Sequence, residues 1–473
     1  MPLSEPGFVL PASCFLASKC KEDTVGIPSL LLLSALHCFL ADSVPQVQKD
    51  HSVTLKEAFA AGMTFEVTSM VTVKGSITKS KEKGKTPTPS AISTSGATQY
   101  RERILEVQDP QRVTASVRRY LRATLDNPEK KTAESLPRIV LRSAVERIVV
   151  RRTNRQSTIF CPDGPLTAPE LELLKADPAA FTPVLVGLLP SKSVKAGDQW
   201  EANTEAAAEL TGVDPIQSGN LRCVFRQVSS SGKTRVARVG LVGTLAGPTE
   251  LGPTRMTVEG HFLLDLDRQL ITYLVMSGRS EVLGADGKVA GELEGRYELS
   301  RGPASEDPRL TDNALAGHDL KPNCESTALL FEQKNLCVRF VYPRNWELGS
   351  VKDNLIQLED PTGGGMRLTI DATPAPTADK LRGQLLTWLE SRKARVKEAT
   401  NTQPLPLSGS SKAEQFSVQA VLDEKPREWR YVVVREADRS ASIAAGLTTE
   451  RAPLLRDDVE FVARRLQFLP KAR

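Results

Sequence analysis

Residues able to do chemistry are sparse in this chain and do not gather into motifs. Hydrolytic and acyl-transfer chemistry pairs a nucleophile with a base, most often histidine. His51, His261 and His318 all lie outside any GxSxG, HExxH or CxxC context. His51 sits near the expected mature N-terminus, His261 opens a strand, and His318 falls in a linker-like stretch. Gly232-Lys233-Thr234 supplies the GKT of a phosphate-binding loop, but the upstream glycine that loop needs is Gln227. A strand, Arg235 to Val239, follows in place of a helix with a free N-terminus. Ser229-Ser230-Ser231-Gly232 therefore reads as a hairpin turn, and Gly363-Gly364-Gly365 as a loop between strands. Paired carboxylates can meet from distant strands, yet nothing here singles out a pair. The sequence assigns no catalytic, cofactor-binding or metal-binding residue.

Two further groups of residues invite a functional reading. Residues 101 to 155 hold 14 Arg and Lys against 7 Asp and Glu. Within them Arg118, Arg122, Arg142 and Arg151 are candidates for a surface that attracts an anionic partner. Against this, the arginines alternate with Val, Ile and Leu, as on the solvated face of a half-buried sheet. Four of the 7 cysteines lie beyond the N-terminal region: Cys161, Cys223, Cys324 and Cys337. An even number permits disulfides in an oxidising compartment. Cys324 and Cys337 flank a strand and are the easiest pair to imagine. Four isolated buried thiols is the equal alternative, and without CxxC neither a redox motif nor a zinc site is suggested.

Compartment is read from the N-terminus. Ile27 to Leu40 is an uncharged apolar run too short to span a bilayer, preceded by Lys19 and Lys21 and followed by Ala41-Asp42-Ser43. A basic region, an apolar core and a small-residue cleavage site make a secretory signal, so residues 1–43 are expected to be removed on export to the periplasm or cell surface. Glu22 and Asp23 dilute the basic region. No later segment is apolar enough to cross a membrane. With 5% aromatic residues and a net charge of +5 over 473 residues, no nucleic-acid partner is expected.

The remaining chain must fold as more than one unit. From Val53 onward residues alternate as in strands, with β-branched residues throughout Thr64 to Val73. Residues 79 to 98, rich in Lys, Pro, Ser and Thr, read as a flexible loop. Strands resume at Tyr100 to Val107, Val113 to Leu125 and Ile139 to Ile159, and Asp163-Gly164 marks a turn. A short helix is expected from Ala168 to Lys175, capped by Thr167 with Glu170 as its capping-box partner. Ala196-Gly197-Asp198-Gln199-Trp200-Glu201 then echoes Ala61-Gly62-Met63-Thr64-Phe65-Glu66. The echo predicts two copies of one antiparallel meander, 44–180 and 181–300, whose apolar faces bury each other in two sheets or one curved sheet. Residues 301–323 read as a linker. From 324 to 473 the pattern becomes α+β: several strands, a helix after Thr377 with Leu381, Leu385, Trp388, Leu389 and Val396 on one face, and a closing helix from Pro453 to Leu466. The fold class is α+β and mostly β.

Two resemblances add to this reading. Phe160-Cys161-Pro162-Asp163-Gly164-Pro165-Leu166-Thr167, with Gly187-Leu188-Leu189-Pro190 and Val194 to Trp200, resembles a family of uncharacterised secreted proteins from planctomycete-type bacteria over residues 50–300; that family implies no activity. Phe340-Val341-Tyr342-Pro343 with Trp346, Glu359-Asp360-Pro361 and the helix from Ala378 resembles the PsbP-like fold, whose members mostly act as binding or accessory subunits.

Taken together, the expectation is an exported, non-catalytic accessory or binding protein of the cell envelope, its partner another envelope protein. A periplasmic carrier of lipid or another apolar ligand is the alternative, supported by an internal cavity and opposed by a filled core. An enzyme with dispersed carboxylates is the third reading, requiring a cleft with at least two perturbed acids.

Overall fold

The strand-forming alternation of the first 300 residues is realised as a single sheet that joins both copies of the repeat. The computed structural model describes residues 52–78, 89–126, 138–153, 156–176, 185–231, 234–371, 376–407 and 409–470. The expected signal segment, 1–43, lies outside them. The first copy supplies β1 (Thr64–Thr78), β2 (Pro89–Asp109), β3 (Arg112–Asp126), β4 (Arg138–Val140), β5 (Ile148–Thr153) and β6 (Gln156–Phe160), followed by β7 (Leu166–Thr167) and α1 (Ala168–Lys175). The second supplies β8 (Gln199–Glu201), α2 (Thr204–Thr211), β9 (Ser218–Ser231), β10 (Thr234–Thr249), β11 (Gly252–Asp265), β12 (Leu270–Leu283) and β13 (Val289–Pro303). The order in the large sheet is β6-β5-β3-β2-β1-β13-β12-β11-β10-β9-β8, with β4 also on β3. The copies stand side by side, last strand of the second against first strand of the first, from Phe65 opposite Pro303 to Ile77 opposite Gly291. The sheet is not a closed barrel.

The repeat is exact at its opening turns. Met63 N–H bonds Ala60 O at 3.2 Å and Asp198 N–H bonds Lys195 O at 2.9 Å. The glycine inside each turn, Gly62 (φ +87°) and Gly197 (φ +95°), holds a left-handed backbone. Gly62 N–H then reaches Ile104 O and Gly197 N–H reaches Phe225 O, at 2.9 and 2.8 Å. The shared Ala-Gly-x-x-aromatic-Glu pattern is thus a turn that starts the first strand of each copy.

Alternation decides which side of the sheet faces the core. Phe65 and Val67 of β1, Tyr100 and Ile104 of β2, Phe225 of β9, Val239 of β10, Phe262 of β11 and Leu299 of β13 form one buried cluster. Leu55, Phe59, Leu188 and, from α2, Ala206 and Ala207 fill it. Each such Leu or Phe contributes roughly 1.5–3 kcal/mol by leaving water. The segment before β1 closes one end: Phe59 N–H bonds Pro110 O in the β2–β3 turn, and Ala58 N–H bonds Gln269 O in the β11–β12 turn.

Several expectations change on this frame. The two copies are not separate sheets packed face to face; one ladder of backbone hydrogen bonds makes them a single curved sheet. Pro89 to Thr98, read as loop, belong to β2 and pair with Thr78 to Ser69; residues 79–88 lie outside the described residues. Thr204–Thr211, read as part of a β segment, is α2, capped by Asn203. The helix expected at Ala168–Lys175 is α1, with Thr167 Oγ1 accepting from Glu170 N–H and Glu170 Oε2 accepting from Thr167 N–H.

Residues 301–323, expected as a linker, begin inside β13 and then pack on β3, β5 and β6. Leu310 and Leu315, which flank and end the short α3 (Asp312–Leu315), join Val117, Val149 and Phe160 in a small core. The remaining chain forms β14 (Leu329–Gln333), β15 (Val338–Tyr342), β16 (Glu347–Lys352), β17 (Leu355–Asp360), β18 (Gly364–Asp371), α4 (Ala378–Ser391), β19 (Arg395–Ala399), β20 (Gln403–Leu405), β21 (Lys412–Leu422), β22 (Lys425–Glu436), β23 (Arg439–Thr448), α5 (Ala452–Arg464) and β24 (Gln467–Phe468). One sheet runs β16-β17-β18-β23-β22-β21-β19, with β20 on β21; a smaller one runs β24-β15-β14-β7. Because β7 lies parallel to β14, the first copy lends a strand to this part. Leu166 and Leu171 accordingly share a core with Phe340, Trp346 and Val459. Val396, expected on the helical face, is exposed in β19.

Candidate functional site

The four arginines proposed as an anionic-partner surface are dispersed. Arg118 is fully buried: its Nε donates to Glu102 Oε1 at 2.8 Å and its guanidinium stacks 4.7 Å from the Tyr100 ring centre. That corrects the expectation, because a side chain sealed against Glu102 is part of no surface. Arg142 grips Glu170 through Nε and Nη2, each at 2.8 Å. Arg151 donates to Leu320 O and Glu106 Oε2 at 2.7 and 3.0 Å. Arg122 alone of the four is exposed without such a partner among the described residues. Arg118 lies on the core-facing side of β3 opposite Glu102, Arg142 lies against α1, and Arg151 lies against the 301–323 segment.

The four cysteines among the described residues are free thiols, so the pair imagined between Cys324 and Cys337 is not formed: Cys161 and Cys223 are buried, Cys324 is exposed and Cys337 half-buried. Burial pushes the Cys161 thiol up to about 11 and the Cys223 thiol to about 12. His318 faces Asp163, Nδ1 to Oδ1 at 3.7 Å, and His51 lies outside the described residues. Among the described residues no group of three or more His, Cys, Asp and Glu could hold a metal ion.

Glu57 and Glu209, both with raised pKa, have different arginine partners, Glu209 sharing Arg152 with Glu205. Glu57 accepts from Ile271 N–H at 2.9 Å and from Arg301, whose guanidinium stands 5.4 and 5.7 Å from the ring centres of Phe59 and Phe65. Burial raises the Glu57 pKa above the usual carboxylate value, outweighing the attraction of Arg301. Glu209 is likewise raised by burial, against the pull of Arg152. These two perturbed acids answer to different arginines.

What alternation leaves on the outside of the large sheet is a broad polar face. Register aligns Gly240, His261, Val275, Glu298 and Met70 in one row across β10, β11, β12, β13 and β1. Arg238, Leu263 and Tyr273 form the next row. Tyr273 Oη donates to Glu298 Oε1 at 2.9 Å, and Arg296 Nη2 to Glu298 Oε2 at 3.3 Å. Partial burial, then Arg238 and Arg296, lowers the His261 pKa. The pairs Arg255–Glu281 and Arg279–Glu292 continue the ladder of opposite charges. Toward the β9 end this pairing stops. Arg226 is the extra residue of a bulge, its Nε placed so that a Cβ on Gly240 would lie 3.1 Å away. Neither Arg226 nor Arg238 meets an acid among the described residues. Both lie outside the arginine-rich stretch 101–155 and stand 12 positions apart in the sequence, so only the register brings them together.

No family model and no curated protein matches the chain. Among solved structures it is similar to cyanobacterial PsbP (CyanoP) from Synechocystis sp. PCC 6803, at 12% identity over 30% of this chain and 92% of that one, with a TM-score of 0.25. It is also similar to the Ran-binding protein Mog1p of Saccharomyces cerevisiae, at 10% identity over 30% and 95%, TM-score 0.23. A third likeness is to a protein of unknown function from Pseudomonas aeruginosa, 13% identical over 31% and 99%, TM-score 0.20. PsbP-like structures are thus among its likenesses over less than a third of its length. The resemblance of residues 50–300 to a planctomycete-type family has no counterpart in these comparisons.

Proposed function

We propose that the chain is an exported, non-catalytic accessory protein of the cell envelope that binds another envelope protein through its large sheet. The contrast between the two faces of that sheet carries the reading. The inner face is filled by the chain's own Leu55, Phe59 and Phe262, while the outer face presents Met70, Val242, Tyr273 and mixed charges, with Met70 52% exposed. Mixed apolar and charged surface on a rigid sheet suits protein recognition. The separate engagement of Glu57 and Glu209 supports binding over hydrolysis, as does the PsbP-like pattern around Phe340 to Trp346. No helix among the described residues is long and apolar enough to cross a membrane.

Two measurements test the proposal. Fractionation of host cells with sequencing of the mature N-terminus should place the chain outside the cytoplasm, lacking Ile27 to Leu40. A photo-crosslinker at Thr257, exposed on the outer face, should capture one discrete partner in living cells. A cytosolic chain retaining the apolar run, or no captured partner, defeats the reading.

The carrier of an apolar ligand draws on the curvature of the same sheet, whose inner face is enclosed. Leu55 and Phe59 occupy that interior, which favours the binding role. Native mass spectrometry of protein purified from its host separates the two: copurified lipid would support the carrier.

A further inference from the structure

We infer that the outer edge of β9 takes up an extended, acidic segment of a partner protein, which joins the large sheet as an added strand. This deepens the binding role proposed above and rests on it.

Short β8 covers only the first part of β9. Gln199–Glu201 pair with Arg222 to Val224, and the last rungs are Gly197 N–H to Phe225 O at 2.8 Å and Phe225 N–H to Asp198 O at 3.0 Å. From Arg226 to Ser230 no strand lies on this side among the described residues. The direction of the backbone groups there follows from β10. Arg235 N–H bonds Asp267 Oδ2 and Arg235 O accepts from Leu266 N–H, each at 2.9 Å. Arg235 therefore turns its backbone away from β9. Its register partner Ser230 must turn its own N–H and C=O away from β10, and alternation orients Val228 the same way. Such outward-facing groups are what an incoming strand pairs with.

Charge selects the kind of strand. Arginines farther along the outer face are neutralised by Glu281, Glu292 and Glu298. Arg226 and Arg238, which flank this edge, are exposed and meet no acid among the described residues; Arg222 reaches only Gln199 Oε1, at 3.4 Å. The edge strands of the C-terminal eight-stranded sheet are guarded. β16 and β19 carry bulges and the charges of Lys352, Arg395 and Lys397, devices that block pairing. Arg226 to Ser230 contains no Lys, Pro or acid. A segment alternating acidic and apolar residues would set carboxylates against Arg226 and Arg238 and apolar side chains beside half-buried Val228.

The test measures fluorescence anisotropy of the full mature chain with a labelled eight-residue peptide of alternating glutamate and valine. Saturable binding is expected, weakening about tenfold or more with the double variant Arg226→Glu/Arg238→Glu and with a peptide of alternating lysine and valine. N-methylation of alternate amides of the glutamate peptide should abolish binding without touching the protein, as should Ser230→Pro, which removes no bond to β10. Equal binding of the lysine peptide or of the N-methylated peptide overturns strand addition by an acidic segment. The Thr257 crosslinking, repeated in the double variant, separates the two levels. The same partner captured undiminished defeats the edge site alone; nothing captured by the unaltered chain defeats the binding role itself.

Discussion

Arg152, on β5 near one end of the large sheet, hydrogen-bonds Glu205 and Glu209 of α2, which packs on β9 near the other end, with Arg152 Nη2 2.6 Å from Glu205 Oε1. Seven strands of the sheet, from β3 to β10 along its order, lie between β5 and β9. The contact therefore reports how far the sheet curls, and it acts as a clasp across the mouth of the curve.

Arg152→Ala should lower stability by about 1–3 kcal/mol, because it strands Glu209 where burial already disfavours its charge. Arg152→Lys should recover part of the loss. Urea unfolding followed by circular dichroism measures both, and a change under about 0.5 kcal/mol would put the clasp among exposed pairs of no consequence.

Glu57 gives the fold a pH dependence with a definite sign. Burial raises its folded pKa above the unfolded value, so the folded chain holds the proton more tightly. Its contribution is complete below the ordinary carboxylate pKa and is lost as pH rises through the folded one. The stability of the unaltered chain relative to Glu57→Gln should therefore decline with rising pH across that window. Urea midpoints taken at intervals of pH check this; a relative stability that climbs instead would mean Arg301 dominates over burial.

Gly62→Ala and Gly197→Ala should each cost about 1–2 kcal/mol, since both positions need the left-handed backbone. No atom lies within 4 Å of a Cβ added at either, so the cost is conformational and should be equal in both copies. A marked inequality in thermal unfolding would argue against equivalent turns.

Thiol reactivity should divide by burial. At pH 8 the reduced, folded chain should react quickly at exposed Cys324, while Cys161 and Cys223, with thiols pushed to about 11 and about 12, wait for denaturant. Mass spectrometry of the alkylated chain reads this directly. Unreduced protein from its host should react at Cys324 in the same way; protection of both Cys324 and Cys337 until reductant is added would instead reveal a bridge between them.

The sequence was legible wherever a local rule sufficed. Thr167 with Glu170 marked α1, Thr377 marked α4, and the spacing of Leu455, Val459 and Val462 marked α5. Pro89 to Thr98 was misread because its Ser and Thr residues carry no hydrophobic alternation; it is a strand only because β1 offers a long ladder to pair with. Arg118 is buried because it lies on the core-facing side of β3 opposite Glu102, and alternation cannot say that an acid on the neighbouring strand will take a charged side chain inward. The edge of β9 was invisible for a related reason: its exposure depends on β8 ending after Glu201, and the convergence of Arg226 with Arg238 depends on a bulge.

By itself the sequence determined the mostly β character, the doubled turn at Gly62 and Gly197, and the scarcity of reactive groups, because side-chain alternation, glycine's backbone freedom and motif spacing are properties of neighbours along the chain. Only the tertiary structure decided that the two copies share one sheet, that Arg118 and Arg152 face inward partners, and that Arg226 and Arg238 stand without acids beside an open edge. Those relations are set by strand register and by which segments come together in space, quantities that no rule about near neighbours in the chain supplies.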